Sequence, residues 1–200
     1  MIGIVDYEAG NMTSVSNALT TIDAKFIISD DSETLAGCDG IILPGVGAAP
    51  GAMASLERRG LTTVLSQFTK PFLGICLGMQ LLYELSEEGM TYCLNVLPGT
   101  IKKFDNRMTK IPHMGWNNIK RSVENPLMAN IESDEYFYFA NSFYAEINEN
   151  TIATTEERIP FAAAIMKKNY YGVQFHPEKS GKAGLTLLHN FEKLCSSSRQ

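Results

Sequence analysis

Short apolar runs alternate along the first half of the chain with stretches of helical spacing. Ile2–Val5 is a β-rich run. The apolar positions Met12, Val15, Leu19 and Ile22 then follow at steps of 3, 4 and 3, one face of a helix, with Asn11 placed to cap it. Phe26-Ile27-Ile28 and Ile41-Ile42-Leu43 read as strands, the second ending at Pro44-Gly45. A helical stretch from Ala52 to Phe68 is interrupted near Gly60; Phe72-Leu73-Gly74-Ile75 reads as a buried strand and Leu77 to Leu85 as a helix. This β-α-β-α order predicts a parallel sheet covered by helices.

The second half changes period. Tyr136–Phe139 and Phe143–Ile147, separated by Asn141-Ser142, suggest an antiparallel pair, and Thr151–Thr155, Ala162–Met166 and Tyr171–Phe175 add strands. A final helix carries the stripe Gly184, Leu187/Leu188, Phe191 and Leu194/Cys195, with Ser196–Gln200 as a fraying tail. The expectation is an α/β fold: one domain over residues 1–200, with a mixed, mostly parallel central sheet and helices on both faces.

Composition narrows the partners. The 200 residues carry a net charge of -5 without a Lys/Arg block, a poor match to nucleic acid. No apolar run is long enough for a membrane span, and the start lacks the basic segment of an export signal. Cys38, Cys76, Cys93 and Cys195 are widely spread, which predicts reduced thiols in a cytoplasm. His113, His176 and His189 have no metal-ligand spacing, so neither a metal nor a cofactor is expected.

Three segments could carry chemistry. Gly74-Ile75-Cys76-Leu77-Gly78 lies between a strand and a helical pattern, the arrangement of a nucleophile elbow. Glycines on both sides let the backbone crowd, a helix start favours a thiolate, and the Leu77 N–H follows the nucleophile. A buried packing cysteine is the competing reading. In Gln174-Phe175-His176-Pro177-Glu178, positions 176 and 178 of an extended segment share a side, so the carboxylate can orient the imidazole; a strand-end His beside a solvated Glu reads equally from the residues. His113 lies in a turn-like segment without a neighbouring acid, and His189 sits off the last helix's stripe. Cys38, Cys93 and Cys195 lack flanking glycines and read as packing residues. At the end of a predicted parallel strand, Leu43-Pro44-Gly45-Val46-Gly47 could supply an oxyanion donor from Val46 or Gly47, or be an ordinary turn.

In this order the three segments resemble the class I (triad) glutamine amidotransferases. Ile111-Pro112-His113-Met114-Gly115-Trp116-Asn117 and Phe175-His176-Pro177-Glu178-Lys179-Ser180 narrow the resemblance to the glutaminase subunits of imidazole glycerol phosphate synthases, over nearly the whole chain. The resemblance implies L-glutamine as substrate and a Cys76–His176–Glu178 triad. It implies oxyanion donors at Leu77 and in the Val46-Gly47 loop, and glutamine contacts from Gln80, Glu88 and the Ser142-Phe143 backbone. It further implies a heterodimer with a (βα)8-barrel synthase (cyclase) subunit of HisF type that receives the ammonia, docked where Asn11, Trp116 and Lys179 stand. Glu8, Ala49, Pro50-Gly51 and Ala140-Asn141-Ser142-Phe143 depart from the family pattern. The same chemistry feeding a paralogous synthase, as in sugar amination, is the alternative; a Cys-His-Glu peptidase or an inactive binding module is the reading from a different class.

Overall fold

A computed structural model describes residues 1–8, 11–105, 107 and 111–197. The first half forms β1 (Ile2–Val5), α1 (Met12–Thr21), β2 (Phe26–Ser29), α2 (Ser32–Gly37), β3 (Gly40–Leu43), α3 (Ala49–Arg58), α4 (Thr62–Ser66), β4 (Phe72–Ile75) and α5 (Leu77–Gln80). Strands β5 (Leu85–Ser86), β6 (Thr91–Tyr92), β7 (Thr100–Lys103), β8 (His113–Asn118), β9 (Lys120–Arg121), β10 (Tyr136–Asn141) and β11 (Phe143–Ala145) follow. The chain closes with β12 (Thr151–Glu157), β13 (Ile159–Lys167), β14 (Tyr170–Val173), a 3-10 turn at Pro177–Lys179 and α6 (Gly181–Ser197).

Among the described residues one large sheet runs in the order β2-β1-β3-β4-β14-β13-β12-β9. It is parallel from β2 to β14 and antiparallel beyond. Burial explains the layers. Ile2, Ile4, Leu73 and Ile75 pack with Val15 and Leu19 of α1 and Leu187, Leu188 and Phe191 of α6. Ile41, Leu43 and Phe72 pack with Leu35 of α2, Leu56 of α3 and Leu65 of α4. Strands buried on both faces read as continuous apolar runs, which is how they stand in the sequence. Each such large side chain contributes roughly 1.5–3 kcal/mol by leaving water. The expected α/β fold, with its mostly parallel sheet and helices on both faces, is observed.

Several local expectations are corrected. The helix expected over Leu77–Leu85 stops at Gln80, because the Leu81, Leu82 and Tyr83 carbonyls accept instead from the 94–97 segment. Tyr136–Phe139 and Phe143–Ile147 do not pair with each other. Strand β10 pairs with β8, and β11 with β7. Phe137 and Phe139 bury against one face of the large sheet and Ala145 against the other, so one hairpin cannot serve both. Asn11 precedes α1 without a side-chain capping bond. His113 opens strand β8 and does face an acid, with Nδ1 3.4 Å from Glu157 Oε2. Helix α2 escaped the sequence reading; Asp31 caps it, accepting from the Thr34 N–H at 2.7 Å. Of the expected tail, Ser196 and Ser197 remain helical, and residues 198–200 lie outside the described residues, as do Gly10 and Ala9. Pro50 falls in the first turn of α3, where a missing N–H is harmless. Exposed Glu8 pairs with Arg59. No described helix is long and apolar enough to cross a membrane.

Candidate active site

The C-terminal ends of β3, β4 and β14 lie side by side, the position at which open α/β sheets bind ligands. Parallel register sets Gly74 against Gly172 and Ile75 against Val173, so Cys76 and Gln174 leave adjacent strands together. Cys76 adopts φ 53, ψ -107, a conformation unusual for a non-glycine residue and one that stores strain. The turn closes only because its neighbours lack side chains. A Cβ on Gly78 would lie 1.8 Å from the Leu43 carbonyl oxygen, and one on Gly74 2.5 Å from that of Gly78.

On the neighbouring strand end, the His176 N–H donates to the Tyr138 carbonyl at 2.8 Å, tying the His-Pro-Glu turn to β10. His176 Nδ1 lies 2.8 Å from Glu178 Oε1, and Cys76 is close enough to act on the charge of the imidazole. Both His176 and the Glu178 side chain are buried. Burial works against an imidazolium here, but the hydrogen bonds and charges of Cys76 and Glu178 outweigh it and push His176 up to about 10. The two partners thus favour the protonated ring, the form that can act as an acid. Asn11 Nδ2 donates to the same Glu178 oxygen at 2.7 Å.

A cavity of about 250 Å³ opens above the sulfur, lined by Val46, Gly47, Cys76, Leu77, Gln80, Glu88, Ala140, Asn141, Ser142, Phe143, His176 and Lys179. Every residue expected to be catalytic, to stabilise an oxyanion or to hold substrate borders this cavity, save Glu178, which stands behind His176. Some of their groups are already engaged. Gln80 Nε2 donates to the Phe143 carbonyl at 3.1 Å and to Gln174 Oε1 at 2.9 Å. The Ser142 carbonyl accepts from Phe104, and Glu88 Oε2 accepts from the Ala49 N–H that opens α3.

Of the three expected docking residues, Trp116 and Lys179 come together through Tyr138. The Trp116 ring meets Tyr138 edge-on at 6.1 Å, and Lys179 Nζ sits 5.9 Å over the same ring. Asn11 engages Glu178. Three participants escaped the sequence reading: Gln174, which donates to Cys76 Sγ; Ala140, whose carbonyl lies 3.8 Å from that sulfur; and Asn11 in its triad contact. Gln174 carried a signal, two positions before His176 in the same motif. The others needed the fold. His189 is exposed on α6, and Cys38 and Cys195 are buried in packing, as expected.

Residues 4–194 match the family profile "Glutamine amidotransferase class-I". The chain belongs to the class-I glutamine amidotransferases. It is 46% identical over 191 residues to the imidazole glycerol phosphate synthase subunit HisH of Idiomarina loihiensis, covering 96% of both chains. It is 43% identical over 206 residues to the HisH subunit of Nitrosomonas europaea, covering 96% of this chain and 97% of that one. Its fold matches the crystal structure of a glutamine amidotransferase with a TM-score of 0.76 at 15% identity, over 98% of each chain. It is thus an enzyme of the HisH group of amidotransferase subunits.

Proposed function

We propose that this chain, as one glutaminase domain, hydrolyses L-glutamine to glutamate and ammonia. The ammonia passes to the synthase subunit of an imidazole glycerol phosphate synthase in histidine biosynthesis. The observation that carries the chemistry is the line Cys76–His176–Glu178 at the floor of a cavity sized for one amino acid. The Cys76 thiolate attacks the side-chain amide carbon and forms a C–S bond. The oxyanion meets the Leu77 N–H and the Val46-Gly47 loop. Protonated His176 gives its proton to the leaving nitrogen, so ammonia departs and a thioester remains. Neutral His176 then takes a proton from water as the hydroxyl attacks the thioester, releasing glutamate. Glu178 keeps the imidazole oriented throughout. With both Gln80 amide hydrogens committed to Phe143 and Gln174, its Oε1, together with Glu88, is left to accept from the substrate's ammonium.

The partner reading is supported by relatives named as synthase subunits and by the surface beside the pocket. Met114, Trp116 and Tyr136, each more than half exposed, share one side of the β8–β10 ribbon with Tyr138, next to Lys179. A (βα)8 synthase of HisF type docking there would form the heterodimer and meet the ammonia at its source. Four unpaired cysteines suit a cytoplasmic enzyme. The test is product formation by the reconstituted pair. Cys76→Ala is expected to abolish synthesis from glutamine while synthesis from added ammonium salts survives. Loss of both would refute the division of labour, and a histidine-pathway barrel that gains no activity from the chain would refute the pathway.

A further inference from the structure

Gln174 sits directly beneath the nucleophile and has no place in the triad scheme. It is fully buried, and its backbone N–H is pinned to the Ala163 carbonyl at 2.8 Å. Its Nε2 lies 3.5 Å from Cys76 Sγ, hydrogen-bonding range for a donor to the large sulfur atom. Which end of an amide faces a neighbour must be argued from the network, and here the network leaves one arrangement. The Phe143 carbonyl can only accept, so Gln80 must turn its NH2 group toward it. The second hydrogen of that NH2 group points at Gln174. Gln174 must answer with its oxygen, because two facing NH2 groups would repel. Its own NH2 group is therefore turned to the sulfur.

We propose that Gln174 is a catalytic residue whose side-chain N–H donates to Cys76 Sγ, holding the sulfur as an anion aimed at the cavity. Gln80 sets the orientation of that donor from the cavity wall. The proposal rests on Cys76 being the nucleophile and goes beyond the triad in giving the thiolate a second, uncharged partner. Hydrogen bonds to a charged group are worth more than neutral ones, so the donor strengthens when the proton leaves. The other charged and titratable groups around the sulfur are His176 with Glu178 behind it, Tyr7, which feels the Cys76 charge, and Glu88 and Lys179 on the cavity wall. Because Gln80 belongs to both the cavity and the relay, a ligand that engages it acts on the same chain of hydrogen bonds that ends at the sulfur.

The experiment is alkylation of the intact chain by iodoacetamide across pH, with label quantified at Cys76 by peptide mapping. Gln174→Met keeps the length and loses the donor. Near neutral pH its Cys76 is expected to react at least about fivefold more slowly than in the parent chain, with the two rates converging in alkali, where any thiol is ionised. An equal rate at every pH, or the same slowing at every pH, overturns the proposal; the latter would mean simple displacement. Should Gln174→Met fail to fold by its melting curve, Gln174→Glu keeps the shape and turns an oxygen to the sulfur. It is expected to slow the reaction further, and a parent-like rate there overturns the proposal as well. If the parent chain itself shows no preference for Cys76 over Cys38, Cys93 and Cys195, the nucleophile assignment fails instead, an outcome separable from the others.

Discussion

His176 is the residue at which the site's electrostatics concentrate. Burial alone would strip its proton; Cys76 and Glu178 restore it and carry the group to about 10. An imidazole held above its ordinary value of about 6.5 adds stability that is complete below that value. The contribution is lost as pH rises toward 10. Melting temperature is therefore expected to fall across this interval. In Glu178→Gln, which removes the carboxylate, the fall should be shallower, and calorimetry of the two chains at matched pH values checks this. An equal slope would mean that Glu178 does not support the charge. Asn11 acts on the same pair. It shares Glu178 Oε1 with the imidazole, so Asn11→Ala is expected to lower the glutamine hydrolysis rate about tenfold with a smaller change in KM.

At the scale of elements, two close backbone approaches hold the site together. Helix α6 begins immediately after the His-Pro-Glu turn, and Gly184 lies against it. A Cβ there would stand 1.9 Å from the Pro177 carbonyl oxygen, a backbone atom that cannot move aside without carrying His176 and Glu178 with it. Gly184→Ala is expected to destabilise by about 1–3 kcal/mol in urea titration and to depress glutamine hydrolysis more than that loss explains. Gly51 provides the contrast. It lies inside α3, and a methyl group added there would meet nothing within 4 Å, so Gly51→Ala is expected to gain up to about 1 kcal/mol and leave hydrolysis unchanged. The short α5 also matters: only four residues long, it brings Gln80 to the cavity wall one turn after Cys76. A longer helix would have kept the Leu81, Leu82 and Tyr83 carbonyls from the 94–97 N–H groups that they accept from.

For the whole molecule, the exposed ribbon face and the cavity are neighbours, so a partner docked on that face, as proposed, would share structural parts with the chemistry. Lys179 borders the cavity and also covers Tyr138, and Glu178 precedes it in the same turn. Gly47, at φ 103, occupies a backbone state that only glycine adopts freely and flanks the cavity from the other side. Assembly with the proposed barrel synthase and its acceptor ligand is expected to raise glutamine hydrolysis at least about tenfold over the isolated chain, since one oxyanion donor is worth on the order of 10²–10³ in rate. Steady-state hydrolysis with and without the partner measures this. Trp116→Ala should weaken assembly by more than tenfold, roughly the 1.4 kcal/mol or more of a central aromatic anchor, without altering the isolated chain's rate. A chain already as active alone as in the complex would refute coupling through this surface.

The linear order of residues determined much of this protein. Alternating apolar runs and helical stripes specified a parallel sheet between two helical layers, because a strand buried on both faces and a helix buried on one need different periods. The elbow around Cys76 and the two-residue step from His176 to Glu178 are local, so their geometry was legible without a fold. What depended on long-range pairing was not. The sequence contains two aromatic segments at 136 and 143, but which core each buries against was decided by the packing of Phe139 and Ala145 on opposite faces of the large sheet. His113 met Glu157 only when β8 came to rest beside β12. Asn11 reached Glu178 across 167 positions, Gln80 reached Gln174 across 94, and Gln174 reached Cys76 across 98. The last two come from the parallel register of β4 and β14, and the first from α1 packing on the Pro177–Lys179 turn, relations that no local period records.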